Sequence, residues 1–257
     1  MYSFIKKFKY SYKSMFVAIF ILSIFLSGIA NGQIPDKFKN LKVLPKNISK
    51  GELIGTMKGF TRALGVRCIF CHVGTNERDL STFEFASDEK TSKEKARIMM
   101  SMVNSINKDH LSKLSEYSDH IMKVNCMTCH HGQNEPKLLE DILMRVIEKK
   151  GIDSGIERYK KLKEKYYGGF TYDFQVRTLA NLTDMLIKSK RFDAAVTISK
   201  LNVEMYPNSI FSLYSMGEAL EAKGNIKEAI EAYANAMKFA PNNPQIKKKI
   251  EMLQNKK

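Results

Sequence analysis

The 257-residue chain is short of acidic side chains: 27 Asp and Glu stand against 42 Lys and Arg, a formal charge of +15. The surplus is scattered along amphipathic stretches rather than gathered into a block with interleaved aromatics, which sets nucleic-acid binding aside. A dispersed basic surface suits docking to acidic partners or to an anionic membrane. Cysteine is also scarce, four in all and none before Cys68, so the lipid anchor that needs a cysteine just after an export signal is excluded. Long apolar runs are wanting as well. The run Met15 to Leu26 is short for a spanning helix, follows Lys6, Lys7, Lys9 and Lys13, and leads into Ser27-Gly28-Ile29-Ala30-Asn31-Gly32. Residues 1–32 therefore read as an export signal, with Ala30 at the third position back from a cut after Gly32. The alternative is an uncleaved anchor that keeps the protein on the membrane. Either way the chain is expected in the periplasm or on the periplasmic face of the inner membrane. Loss of the four leader lysines leaves a charge of about +11. With 44% hydrophobic residues the remainder is ordinary globular protein, not a disordered segment.

All four cysteines fall in two motifs, Cys68-Ile69-Phe70-Cys71-His72 and Cys126-Met127-Thr128-Cys129-His130. Each has the CxxCH spacing of c-type haem attachment. Residues three apart lie on one face of a helical turn, so both thiols reach the vinyl groups on one edge of a porphyrin. The histidine that follows presents its imidazole to the iron. A disulfide framework or a four-thiolate zinc site would also use paired cysteines, but neither explains a histidine directly after each pair. The expected cofactors are two covalently bound haem c groups. Cys68, Cys71, Cys126 and Cys129 form the thioethers, and His72 and His130 are the proximal iron ligands.

A helix should precede each motif. Ser49-x-x-Glu52 reads as a capping box, Leu53, Met57, Phe60 and Leu64 recur at helical spacing, and Gly65 supplies the stop. Thr91-x-x-Glu94 reads as a second box, ahead of Ala96, Met99, Met100, Met102, Val103 and Ile106. A methionine on an apolar helical face is usually core filler, yet thioether sulfur is also a usual sixth ligand in electron-transfer cytochromes. Met57 stands alone on its helix. On the second helix spacing leaves Met99, Met100 and Met102 open.

The stretch from about Phe38 to Pro136 carries more than the two motifs. Met57-x-Gly-Phe-x-x-Ala-Leu-Gly-Val-x-Cys68, Ala96-Arg97-x-Met-x-x-Met102-Val103-x-x-Ile106-Asn107 and Val124-Asn125-Cys126-Met127-Thr128-Cys129-His130-x-Gly132 resemble the cytochrome c subunit of photosynthetic reaction centres. The resemblance implies a distal methionine on the helix before the motif, which places the sixth ligands on Met57 and Met102. That subunit has four haems, whereas this chain has thiols for two, so it resembles about half of it. Of the other histidines, His131 should point away from the iron served by His130, and His110 and His120 should be solvated.

After Pro136 come long amphipathic helices without cysteine. Residues 176–243 carry a 34-residue repeat, in which Leu179 returns as Leu213, Leu182 as Met216, Leu186 as Leu220, Ala195 as Ala229, and Tyr206-Pro207-Asn208 as Ala240-Pro241-Asn242. This period resembles tetratricopeptide repeats. Helical segments over 137–149 and 152–166 should cap the array, with a break at Gly168-Gly169-Phe170-Thr171. The expected fold is mainly α: signal 1–32, a small dihaem cytochrome domain over 33–136 with little regular sheet, and linker plus repeats over 137–257. Function follows from the haems, a single-electron carrier that exchanges with a redox donor and acceptor, with a protein partner on the repeat surface. The competing expectation is a dihaem peroxidase with one open iron.

Overall fold

A computed structural model describes residues 34–255, and the export signal expected over 1–32 lies outside them. Among the described residues there is no β-strand, only an isolated antiparallel bridge between Val73 and Glu84. No helix among them is long and apolar enough to cross a membrane. The chain forms two compact units, one ending at Cys126 and the other starting at Met127, so the division falls inside the second CxxCH motif.

The first unit holds α1 (Lys50–Leu64) and α2 (Thr91–Ser105). The capping box at Ser49 forms in full: Glu52 N–H donates to Ser49 Oγ, and the Glu52 carboxylate accepts from Ser49 N–H at 3.0 Å. Gly65 ends α1 in the left-handed conformation, φ 63°, where a side chain would be strained. The second capping box does not form. Lys90 is the N-cap of α2 without a side-chain capping bond, and Glu94 instead takes Arg97 Nη1 at 2.8 Å. A carboxylate one turn from a guanidinium has a stronger bond available than a backbone amide. After α2 the chain runs through a π turn (Ile106–His110) and a 3-10 turn (Leu111–Glu116).

The second unit opens with the last four residues of α3 (Cys126–His130). It continues through α4 (Leu139–Lys150), α5 (Ile152–Tyr166), α6 (Val176–Lys188), α7 (Phe192–Met205), α8 (Ile210–Lys223), α9 (Ile226–Phe239) and α10 (Pro244–Gln254). The expected break between α5 and α6 is present. Helices α6, α8 and α10 begin at 176, 210 and 244, steps of 34 residues, as do α7 and α9 at 192 and 226. Helix α4 packs on α5, each helix from α6 to α9 packs on its successor, and α4 packs on α6, α6 on α8 and α5 on α7, the pattern of stacked helix pairs. The repeat positions carry the core, with Leu179, Leu182, Leu186, Ala195 and Ala229 fully buried.

The two units differ in how much protein they bury. Among the described residues twenty-five apolar side chains are buried; Leu53, Ala63 and Phe83 belong to the first unit, and the other twenty-two form one continuous core in the second. Three such residues make a thin core for the described part of this unit.

Candidate haem sites

The first motif is a single 3-10 turn, in which the amides of Cys71 and His72 both donate to the Cys68 carbonyl, at 3.2 and 3.0 Å. The start of α2 holds that turn in place. Lys90 Nζ donates to the Ile69 carbonyl and Ser92 Oγ to the Phe70 carbonyl. Lys93 Nζ ties in the next segment through the carbonyls of Phe85 at 2.8 Å and Ser87 at 2.7 Å. Behind it Arg97, buried, donates to Asp88 at 2.8 Å, to Glu94, and to the Asn40 carbonyl at 3.3 Å. Arg97, then Lys42 and Asn40, hold the Asp88 carboxyl well below the usual carboxylate range.

These elements enclose a cavity of about 980 Å³, near the upper limit of small-molecule and cofactor sites, about 1,000 Å³. Met57, Cys68, Cys71 and His72 all line it, so four residues the sequence nominated for one centre meet in one place. Leu53, Phe60, Leu64 and Phe83 give it an apolar wall. Burial, with the charges of Lys93 and Lys90, pushes the His72 imidazole down to about 4, so it is neutral at physiological pH with a lone pair to offer. Its Nδ1 is buried without a hydrogen-bond partner, and the Phe85 ring stands edge-on at 5.2 Å. Apolar walls, two thiols, a thioether and a neutral imidazole around one cavity fit a haem c, and so does the sparse core of this unit. Met100 also lines this cavity. Met99 and Met102, one turn apart, share a different face of α2. Met102 is exposed and Met99 half-buried.

The second motif is helical. His130 is buried, and its Nδ1 lies 2.8 Å from the Gln133 carbonyl. A carbonyl only accepts, so Nδ1 carries a proton, and the neutral ring then has its lone pair on Nε2, the tautomer a metal-binding imidazole needs. Gly132, at φ 80°, turns the chain so that Gln133 can reach back. Gln133 Oε1 accepts from Tyr172 OH at 3.1 Å. His131 is exposed at φ 49°, with Nε2 2.8 Å from the Thr128 carbonyl. Upstream, Asn107 grips Val124 twice, Nδ2 donating to its carbonyl at 2.8 Å and Oδ1 accepting from its amide at 2.9 Å. This clamp closes the 107–124 loop ahead of Cys126. Asn107 was legible only as part of a motif, because nothing in local spacing links it to a residue 17 positions on. His110 and His120 are exposed.

Residues 29–144 match the family described as photosynthetic reaction centre cytochrome C subunit. The cytochrome c subunit of Thermochromatium tepidum is 32% identical over 102 residues, which make up 39% of this chain and 22% of that protein. The chain thus spans about a fifth of that relative's length. Among solved structures, MamA of Desulfovibrio magneticus RS-1 (residues 41 to the end) is similar at 14% identity, covering 64% of this chain and 84% of that one, TM-score 0.35. The C-terminal TPR-containing domain of a Plasmodium falciparum FK506-binding protein is similar at 23% identity, 46% and 85% coverage, TM-score 0.32. The match to the cytochrome c subunit covers both attachment motifs and ends inside α4.

Proposed function

We propose that this protein is a dihaem c-type cytochrome that carries single electrons beyond the inner membrane. The observation that carries the reading is the convergence of Met57, Cys68, Cys71 and His72 on one apolar cavity in a unit with almost no core of its own. Cys68 and Cys71 at one centre, and Cys126 and Cys129 at the other, would hold the porphyrins by thioether bonds. His72 and His130 would bind iron from the proximal side, and Met57 and Met102 from the other. Haem so bound supplies a one-electron iron couple whose potential depends on ligands, burial and nearby charge. With both axial positions filled, no side chain needs to take or give a proton, and substrate need not approach the metal. Lys90, Ser92 and Lys93 fix the first attachment turn, the Gln133 carbonyl orients His130, and the apolar wall excludes water. The donor and acceptor are then redox proteins, and the repeats offer a surface for a protein partner.

The test is a pyridine haemochrome count with intact-mass measurement on protein exported from a host with haem-attachment machinery. Two haems per chain, low-spin and inert to carbon monoxide, are expected. A bare polypeptide mass would overturn the reading, and ready carbon monoxide binding at one iron would favour a peroxidase.

A further inference from the structure

The turn after the second motif, together with α4 and α5, encloses a groove of about 580 Å³. Five cations line it, Lys137, Arg145, Lys150, Arg158 and Lys161, against two carboxylates, Glu135 and Glu157. Glu157 pairs with Lys161 at 2.6 Å and Glu135 with Lys137. Arg145, Lys150 and Arg158 are exposed, and among the described residues no carboxylate lies within ion-pair distance of them. Three like charges in one concavity set up a positive field directed at whatever enters it. Two of the three are guanidinium groups on different helices, Arg145 on α4 and Arg158 on α5, and each can take a carboxylate bidentately.

The groove is more than a patch of charge. Ile142 and Val146, half-buried, and the Tyr172 ring give it apolar wall that a free anion would not use. Its volume is many times that of one carboxylate or phosphate. It also touches the second centre, since Gln133 lines it while its carbonyl takes the His130 proton and its side chain takes Tyr172 OH. An occupant would rest against the residue that orients a proposed iron ligand. The competing explanation is a polar end face that keeps the first helix pair of the stack soluble.

We propose that this groove docks an extended acidic segment of a protein redox partner, its carboxylates meeting Arg145, Lys150 and Arg158 and its apolar atoms lying on Ile142 and Val146. That the partner is a redox protein rests on the haem reading above; the acidic ligand does not.

The test uses the full holoprotein and a hexaglutamate peptide, followed by calorimetry at low and high salt. Saturable binding that weakens steeply with salt is expected, and Arg145→Glu with Arg158→Glu should weaken it roughly tenfold or more. A control pair on exposed lysines elsewhere, Lys200→Glu with Lys247→Glu, should leave it nearly unchanged. Equal losses in both pairs would mean non-specific attraction and overturn the proposal. Inorganic phosphate that competes as strongly as the peptide would make the groove a small-anion pocket. Phosphatidylglycerol vesicles that need Arg145 and Arg158 while the peptide does not would make it a membrane contact; either outcome overturns the proposal. Saturating peptide should also lower the midpoint potential of one haem, because added carboxylates favour the ferric state, and unchanged potentials would overturn the link to the second centre. The haemochrome count on the same samples separates the two failures. Peptide binding without haem would sink the cytochrome reading alone, and two haems with no peptide binding would sink the groove alone.

Discussion

The buried imidazole of His130 donates its Nδ1 proton to the carbonyl of Gln133 at 2.8 Å, whereas Nδ1 of His72 is buried without a partner. A hydrogen bond at Nδ1 makes Nε2 a stronger donor to iron, and stronger donation favours the ferric state. Gly132→Ala should disturb the bond at His130, because φ 80° is costly for any residue with a Cβ, by about 1–2 kcal/mol. Redox titration should show one of the two potentials rising and the other unmoved. Equal shifts in both would break the link to Gln133.

Met57 gives the most direct test of the first centre. Met57→Ala should leave two haems attached, since the thioethers and His72 remain, but should open one iron to carbon monoxide. A variant whose ferrous spectrum ignores carbon monoxide would show that Met57 is only wall. Met102→Ala tests the other centre in the same way, and if Met99 is the true ligand Met102→Ala will be silent.

Charge beside the first cavity should set its potential. Lys93 lines the cavity and bonds two carbonyls, so Lys93→Gln keeps much of the polar contact and removes a positive charge. One potential is expected to fall by tens of millivolts, less at high salt. A rise would mean the substitution acts through geometry instead.

Asp88 predicts the acid limb of stability. Its folded carboxyl is depressed below an unfolded value near 4 by Arg97, Lys42 and Asn40, so it stabilises the fold above that pH and the contribution drains away as pH falls further. Asp88→Asn should lower the melting temperature at neutral pH and lose less than wild type on acidification. Parallel melting curves from pH 7 to pH 3 would contradict the assignment.

Gly217 reads out the repeats alone. A Cβ there would meet the Tyr233 ring at 2.5 Å, and Tyr233 is fully buried and bonded to Glu221. Gly217→Ala should destabilise the helical stack by roughly 1–3 kcal/mol without changing haem content, as followed by circular dichroism and the haemochrome count.

The most legible features in the sequence were those fixed by local rules. Ser49, Glu52 and Gly65 bound α1 because capping chemistry acts over three or four residues. The 34-residue period placed α6 to α9 because the same helix pair is stacked twice. What failed or stayed hidden needed distant partners. Glu94 looked like the end of a capping box, but Arg97, itself drawn to Asp88 and Asn40, claimed it. The three methionines of α2 were indistinguishable until the fold set Met100 against the first cavity. The groove of Arg145 and Arg158 joins side chains 13 positions apart with a turn before α4, and no periodicity announces it.

The meagre interior of the first unit bears on how the molecule is made. The repeat helices can fold as soon as they emerge, whereas on the dihaem reading the segment before them must wait for its pigment. A newly synthesised chain should therefore pass through a half-finished stage, with a protease-resistant tail and a digestible front. Starving cells of haem should leave a stable fragment that begins near the linker and contains all five repeat helices from α6 onward.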